Sequence, residues 1–253
     1  MSEIEITNAA AQASPDVNVR VLKHRVATRI MHGIVALGFV VCAITGILLF
    51  AGVDFGRGGM AIAHCIMGLC FAVAPIVYII FCWKNYARFM DTITHYDKDD
   101  LGWLKAPMGG YLDPIFWRGK PEHYVPPQDK YNTGQKGAGV CLILGSVALA
   151  VTGLLMWANT AEGIFGLVTI QLSSGMTWFL WTLHVAVAVL MLLIFVVHFF
   201  LGAVYPVTNV EFWTMFGRGF ADYTYTKKKH GKWLNTLEVK EEHVVEDDDK
   251  KDA

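Results

Sequence analysis

Four histidines lie inside otherwise apolar stretches: His32, His64, His184 and His198. Imidazole is a preferred ligand for iron and neighbouring metals, and one ring from each of two helices can hold a cofactor between them. His184 and His198 share one run, residues 177–205, that carries no Lys, Arg, Asp or Glu. On a helix two residues fourteen apart fall within about 40° of each other and roughly 21 Å apart along the axis. Two imidazoles so placed, near opposite ends of a membrane span, suit a two-site metal or haem wire. Ionisable groups inside spans are costly and usually functional, though a lone intramembrane histidine can also be a hydrogen-bonded packing residue.

Such residues need helices to hold them in place. The chain has 253 residues, 54% hydrophobic and 17% charged, with a mean hydropathy of +0.41. That balance belongs to integral membrane proteins rather than soluble domains, and no nucleic-acid partner is expected. Apolar runs long enough to span a bilayer fall at about 30–52, 60–83, 138–157 and 177–205. Pro75 is tolerable within the second, because neighbouring helices can satisfy the carbonyl it frees.

Charge orients the runs. Arg20, Lys23, Arg25 and Arg29 precede the first span, and eight Lys and Arg occupy 84–137. Arg218, Lys227, Lys228, Lys229 and Lys232 follow the fourth, whereas the loop 53–59 holds only Arg57 and the loop 158–176 none. The positive-inside rule then puts both termini and the central loop in the cytoplasm. The expected fold is an all-α four-helix transmembrane bundle, up-down-up-down, in the cell inner membrane. Residues 1–29 form a polar and basic lead, 30–205 the membrane domain with its cytoplasmic loop 84–137, and 206–253 a cytoplasmic tail. The first twenty residues lack the basic start and apolar centre of a cleavable signal peptide. From Glu238 onward a solvated, disordered charge run is expected.

Topology gives each histidine a depth. His64 and His184 open inward-going helices and lie near the outer face. His32 starts an outward-going helix and His198 ends an inward-going one, so both lie near the cytoplasm. The four therefore sort into an outer pair, His64 with His184, and an inner pair, His32 with His198. Gly68 and Gly202, one turn past His64 and His198, and Gly33 beside His32 leave room for a macrocycle; Gly46 shares the face of His32 at the outer level. A short repeat, AITGILLF at 43–50 and AVTGLLMW at 150–157, suggests two related hairpins. Tyr78 stands fourteen residues after His64, so the first hairpin lacks an equivalent of His198.

Other residues are read more plainly. His95, His123, His230 and His243 are expected at the surface, His95 within reach of a proton path. The five cysteines lie in or beside apolar segments without CxxC spacing, so no iron–sulfur cluster is expected in this chain. The stretch 126–139, PPQDKYNTGQKGAG, puts Asn132, Gly134 and Gln135 at the level of the inner histidines. Amides can hydrogen-bond a quinone carbonyl and glycine admits close approach. A helix cap with snorkelling lysines accounts for the same residues equally well.

Taken together, RIMHG at 29–33, TGI in the first span, His64 with Gly68, DKYNTGQK at 129–136 and the stretch from His184 to His198 resemble the cytochrome b (gamma) subunits of respiratory formate dehydrogenases. The resemblance covers roughly residues 20–205. It implies two haem b groups, the outer held by His64 and His184 and the inner by His32 and His198. It implies a menaquinone or other quinone site at Asn132, Gly134 and Gln135 with the His198 region. It also implies an iron–sulfur partner subunit and a molybdenum or tungsten catalytic subunit. Electrons would pass inward from formate to quinone, with protons taken from the cytoplasm. The long start, residues 105–127 and the acidic end depart from that pattern. An equivalent subunit of a nickel–iron hydrogenase or another molybdenum or tungsten oxidoreductase is the nearest alternative, and a haem-free transporter using its histidines is a more distant one. A higher oligomer of the complex is compatible with either.

Overall fold

The computed structural model describes residues 20–53, 58–107, 109–113, 124–206, 208–240 and 243–245. The expectations for residues 1–19, Arg57, His123 and much of 105–127 lie outside the described residues. The chain forms two units, one of Ala27–Ala87 with Ala138–Val204, the other of Met1–Val26, Arg88–Gly137 and Tyr205–Ala253.

Four helices are long and apolar enough to cross a membrane: α1 (Val26–Phe50), α2 (Gly59–Phe81), α5 (Thr133–Ala158) and α6 (Ser174–Phe199). The last continues as a π-helical turn, Phe200–Val204. Shorter helices α3 (Trp83–Thr94) and α4 (Lys98–Lys105) occupy the central segment expected as a loop. The α5 helix begins at Thr133 rather than near 138, because Asn132 caps it. Its Oδ1 accepts from Gln135 N at 2.9 Å, and Gln135 Oε1 accepts from Asn132 N at 3.0 Å. That reciprocal capping box satisfies two backbone donors at the helix start. The α6 helix likewise starts three residues early, where Ser173 Oγ accepts from Met176 N at 3.3 Å.

Within the membrane unit the packed interior is narrow. Phe71, Tyr78, Leu180 and Met191 are buried. Gly38 lets α1 approach α2, since a Cβ there would lie 3.1 Å from Phe71 Cβ. Tyr78, the residue in place of a fifth histidine, hydrogen-bonds Thr28 at 2.7 Å. Outside, Ile30, Leu37, Ile44 and Ile47 form an exposed apolar stripe along α1. Seven- and three-residue steps along a helix keep such residues on one side. In water a surface like this would aggregate, whereas acyl chains solvate it.

The other unit holds what the all-α expectation omitted. Four three-residue strands, β1 (Arg20–Leu22), β2 (Phe220–Asp222), β3 (Glu238–Lys240) and β4 (His243–Val245), form one sheet in the order β2-β1-β4-β3. β1 runs antiparallel to β2 and parallel to β4, and β3 pairs antiparallel with β4. The charged tail thus contributes two strands where a continuous solvated run was expected. Val21, Trp233 and Leu237 form the small core beside the sheet. Helices α7 (Val210–Phe216), α8 (Tyr223–Lys229) and α9 (Gly231–Leu234) complete this part of the chain.

A buried charge cluster joins those helices to the chain start. Lys23 Nζ donates to Glu211 Oε1 at 2.7 Å and lies 2.9 Å from His230 Nε2. His230 Nδ1 donates to the Asp129 carbonyl at 2.7 Å. With the ring neutral, Nε2 accepts from Lys23; protonated, it would donate to Glu211 Oε1, which lies 3.2 Å away. Tyr225 Oη donates to the same Glu211 oxygen at 2.9 Å. His230 is 2% exposed, so the expectation of a surface residue is corrected. Burial, then the Lys23 charge, pushes its pKa down, with Glu211 opposing. Burial pushes Glu211 up, but Lys23 and His230 outweigh it and hold the carboxyl below the usual range. Lys23 itself is lowered by burial despite Glu211.

Candidate cofactor-binding site

Each histidine pair derived from depth meets in space. The His64 and His184 ring centres are 6.2 Å apart, and those of His32 and His198 are 6.5 Å apart. Two imidazoles binding one metal ion from opposite sides have a characteristic separation. With metal–nitrogen bonds of about 2.0–2.1 Å and roughly 1.1 Å from each nitrogen to its ring centre, the centres stand about 6.3 Å apart. Both pairs match it. Among the described residues no group of three or more His, Cys, Asp or Glu gathers for a metal. The donor set is two neutral nitrogens, which suits a cofactor that brings its own equatorial ligands.

The His64–His184 pair is met by two matching halves of the sequence repeat. Thr45 Oγ1 is 2.9 Å from His64 Nδ1, and Thr152 Oγ1 is 2.8 Å from His184 Nδ1. Each hydroxyl also donates to the carbonyl four residues back, Thr45 to Val41 and Thr152 to Ala148, both at 2.7 Å. A hydroxyl has one proton, so towards histidine it accepts. The imidazoles are thereby Nδ1–H tautomers, with the lone pair on Nε2. The next residue in each half is a glycine against the same ring. A Cβ at Gly46 would sit 3.3 Å from His64 Cε1, and one at Gly153 3.3 Å from His184 Cε1. A Cβ at Gly68 would instead meet Cys42 Sγ at 3.9 Å, while among the described residues none beyond the local helix comes within 4 Å of a Cβ at Gly33 or Gly202.

Aromatic packing separates the two pairs along the helices. Phe39 contacts Phe195 at 5.0 Å and Phe71 at 6.4 Å between ring centres. At the other end Phe50 stacks on Trp181 at 6.2 Å. The π-helical turn starts two residues after His198, and such turns recur at functional positions in helices.

The residues expected to meet a quinone divide between the units: Asn132, Gly134 and Gln135 belong to one, His198 to the other. The first three have structural duties. Asn132 and Gln135 spend both amide oxygens on the capping box, and Asn132 Nδ2 donates to Tyr111 Oη at 3.1 Å. A Cβ at Gly134 would lie 2.9 Å from Trp103 Cη2, so the glycine admits that indole. What the amides still offer is the Nε2 end of Gln135. Beneath them Lys136 Nζ pairs with the buried Asp100 carboxylate at 2.8 Å, and Thr133 Oγ1 donates to the same carboxylate at 2.8 Å. Tyr111 also accepts the Tyr205 hydroxyl on its carbonyl at 3.2 Å, and burial raises its phenol pKa.

Sequence reasoning missed three kinds of residue. Thr45 and Thr152 lay within the repeat, and their matched positions were the available signal. Glu211 and Lys23 showed none, being 188 residues apart. His24, which stacks on Tyr131 at 6.2 Å and is buried, was hidden in a basic run.

Comparison with known proteins bears on the site. The family model described as prokaryotic cytochrome b561 matches residues 23–218. A relative from Haemophilus influenzae, "Formate dehydrogenase, cytochrome b556 subunit", is 26% identical over 246 residues, covering 92% of this chain and 86% of its own.

Proposed function

The chain belongs to the prokaryotic cytochrome b561 family, and on that premise we propose that it is the di-haem b membrane subunit of a formate dehydrogenase-type complex that reduces a quinone. The observation that carries this reading is the pair of imidazole separations, 6.2 and 6.5 Å, with one ring of each pair on α6. The formate partner follows from the name of the Haemophilus influenzae relative. When bound, haem supplies reversible one-electron chemistry.

The residues present fit that cofactor. His64 and His184 would hold the outer haem through Nε2, and His32 and His198 the inner one. Gly46 and Gly153 keep side-chain atoms off the outer rings. The apolar stripes seat the four helices in the inner membrane as an up-down-up-down bundle with cytoplasmic termini, which the basic residues flanking the spans favour. This topology puts the exit towards quinone on the cytoplasmic side. Gln135 offers an amide donor there, oriented by its capping bond to Asn132 and seated beside Gly134. An iron–sulfur subunit and a molybdenum or tungsten catalytic subunit would deliver the electrons. The quinone is menaquinone or a relative of it.

A reduced-minus-oxidised spectrum of the purified chain tests the cytochrome reading. A b-type alpha band from two haems is expected, and its absence would leave a haem-free transporter as the better account. His64→Ala is expected to lose one haem and keep the other. Co-purification tests the partner: a large molybdenum or tungsten subunit supports formate, and a nickel–iron pair would assign the chain to a hydrogenase.

A further inference from the structure

The Thr–Gly step of the repeat occurs once in α1 and once in α5, and each copy does the same two things to one histidine of the outer pair. We propose that Thr45 and Thr152 are positioning residues that tune the outer haem by accepting the Nδ1–H of its two axial histidines. This rests on the assignment of His64 and His184 as ligands of one haem.

Both threonines are buried, 6% and 4% exposed. Each hydroxyl proton is committed to a backbone carbonyl at 2.7 Å in its own helix. That commitment leaves the oxygen as an acceptor of fixed direction, 2.9 Å from His64 Nδ1 and 2.8 Å from His184 Nδ1. An acceptor on the distal nitrogen of a ligating histidine fixes the ring's tautomer and orientation and strengthens its electron donation to the metal. Stronger donation favours the ferric form, so the threonines lower the midpoint potential of that haem. The adjacent Gly46 and Gly153 keep the ring's Cε1 edge clear by leaving out a Cβ that would approach to 3.3 Å. Direction and clearance thus come from consecutive residues on a neighbouring helix, which explains why AITG and AVTG recur where the rest of the hairpins differ.

The test is a redox titration of the haem-loaded complex in membranes, following the b-type alpha band and the low-spin ferric EPR signals. Thr152→Val and Thr45→Val remove the acceptor with little change of shape. Each is expected to raise the midpoint of one haem, the same haem in both variants, and to shift its EPR signal while the second haem stays put. Thr152→Ser and Thr45→Ser keep the hydroxyl and are expected to restore both. Unmoved midpoints in both valine variants would overturn the proposal, as would serine variants behaving like valine. If one valine variant fails to accumulate, its counterpart on the other helix decides. His64→Ala separates the two levels of inference. Retention of both haems there would defeat the ligand assignment itself. Loss of one haem, with the valine variants silent, would defeat only the role of the threonines.

Discussion

Breaking the Lys23–Glu211 pair one partner at a time should cost far more than removing both. The charges are 2.7 Å apart, with side chains 1% and 12% exposed. At an effective dielectric near 20 their attraction is about 6 kcal/mol, an upper bound on what the pair contributes before desolvation is counted. Desolvation cancels much of that in the intact protein. It does not cancel in a single variant, because the survivor stays buried. Among the described residues, Glu211→Leu leaves Lys23 with His230 Nε2 to donate to, and Lys23→Met leaves Glu211 with the Tyr225 hydroxyl and His230 Nε2. Each should lose about 3–5 kcal/mol, and the double variant should recover to within about 2 kcal/mol of the parent. At roughly 2–4 °C per kcal/mol for a chain of this size, the single variants should melt about 6–20 °C lower. Trp233, whose ring centre is 6.5 Å from that of His230, reports the transition by fluorescence in detergent. His230 also holds the Asp129 carbonyl ahead of the Asn132 cap, so the single variants should lose the proposed quinone reduction at temperatures the parent tolerates. Single losses below about 1 kcal/mol, or a double loss equal to their sum, would refute coupling through this pair.

The same cluster should respond to acid. The pKa of His230 is depressed from 6.5, so its contribution is complete above about pH 6.5 and lost as pH falls through the folded value. Glu211, also depressed, from 4.5, withdraws a further share below about pH 4.5. The Trp233 melting midpoint should fall between pH 7.5 and 5, and a rise on acidification would contradict the assigned protonation. Gly153→Ala gains about 1 kcal/mol of helix propensity but presses on the His184 ring. Its haem content should drop while Gly175→Ala, with nothing within 4 Å of the added Cβ among the described residues beyond its own stretch of helix, binds normally; equal haem content in the two would show that clearance at Gly153 does not matter. Asn132→Ala should cost about 1 kcal/mol through the lost cap whether or not quinone is present. A variant as stable as the parent yet blocked in quinone reduction would assign Asn132 to the substrate instead.

Much of the membrane part was legible in the chain itself. A span must satisfy its own backbone in lipid, so helix was the only form open to the four apolar runs. The flanking Lys and Arg then set an expected depth for every residue along them. His64 with His184 and His32 with His198 follow from that one-dimensional reasoning, and the rings are 6.2 and 6.5 Å apart. Helix ends were less legible, since Thr133 and Ser174 start their helices through caps that lie outside the apolar pattern. Tertiary structure alone decided the rest. Strands of three residues such as Arg20–Leu22 carry too little alternation to read, and their partners lie about 200 residues away. Lys23 looked like one more basic residue before a span until Glu211 and His230 closed around it. Thr45 and Thr152 looked like ordinary helix residues until a second helix brought an imidazole nitrogen to each hydroxyl. Local periodicity records which face of a helix is apolar. Which polar atom meets which depends on how separate segments pack, and no single segment holds that information.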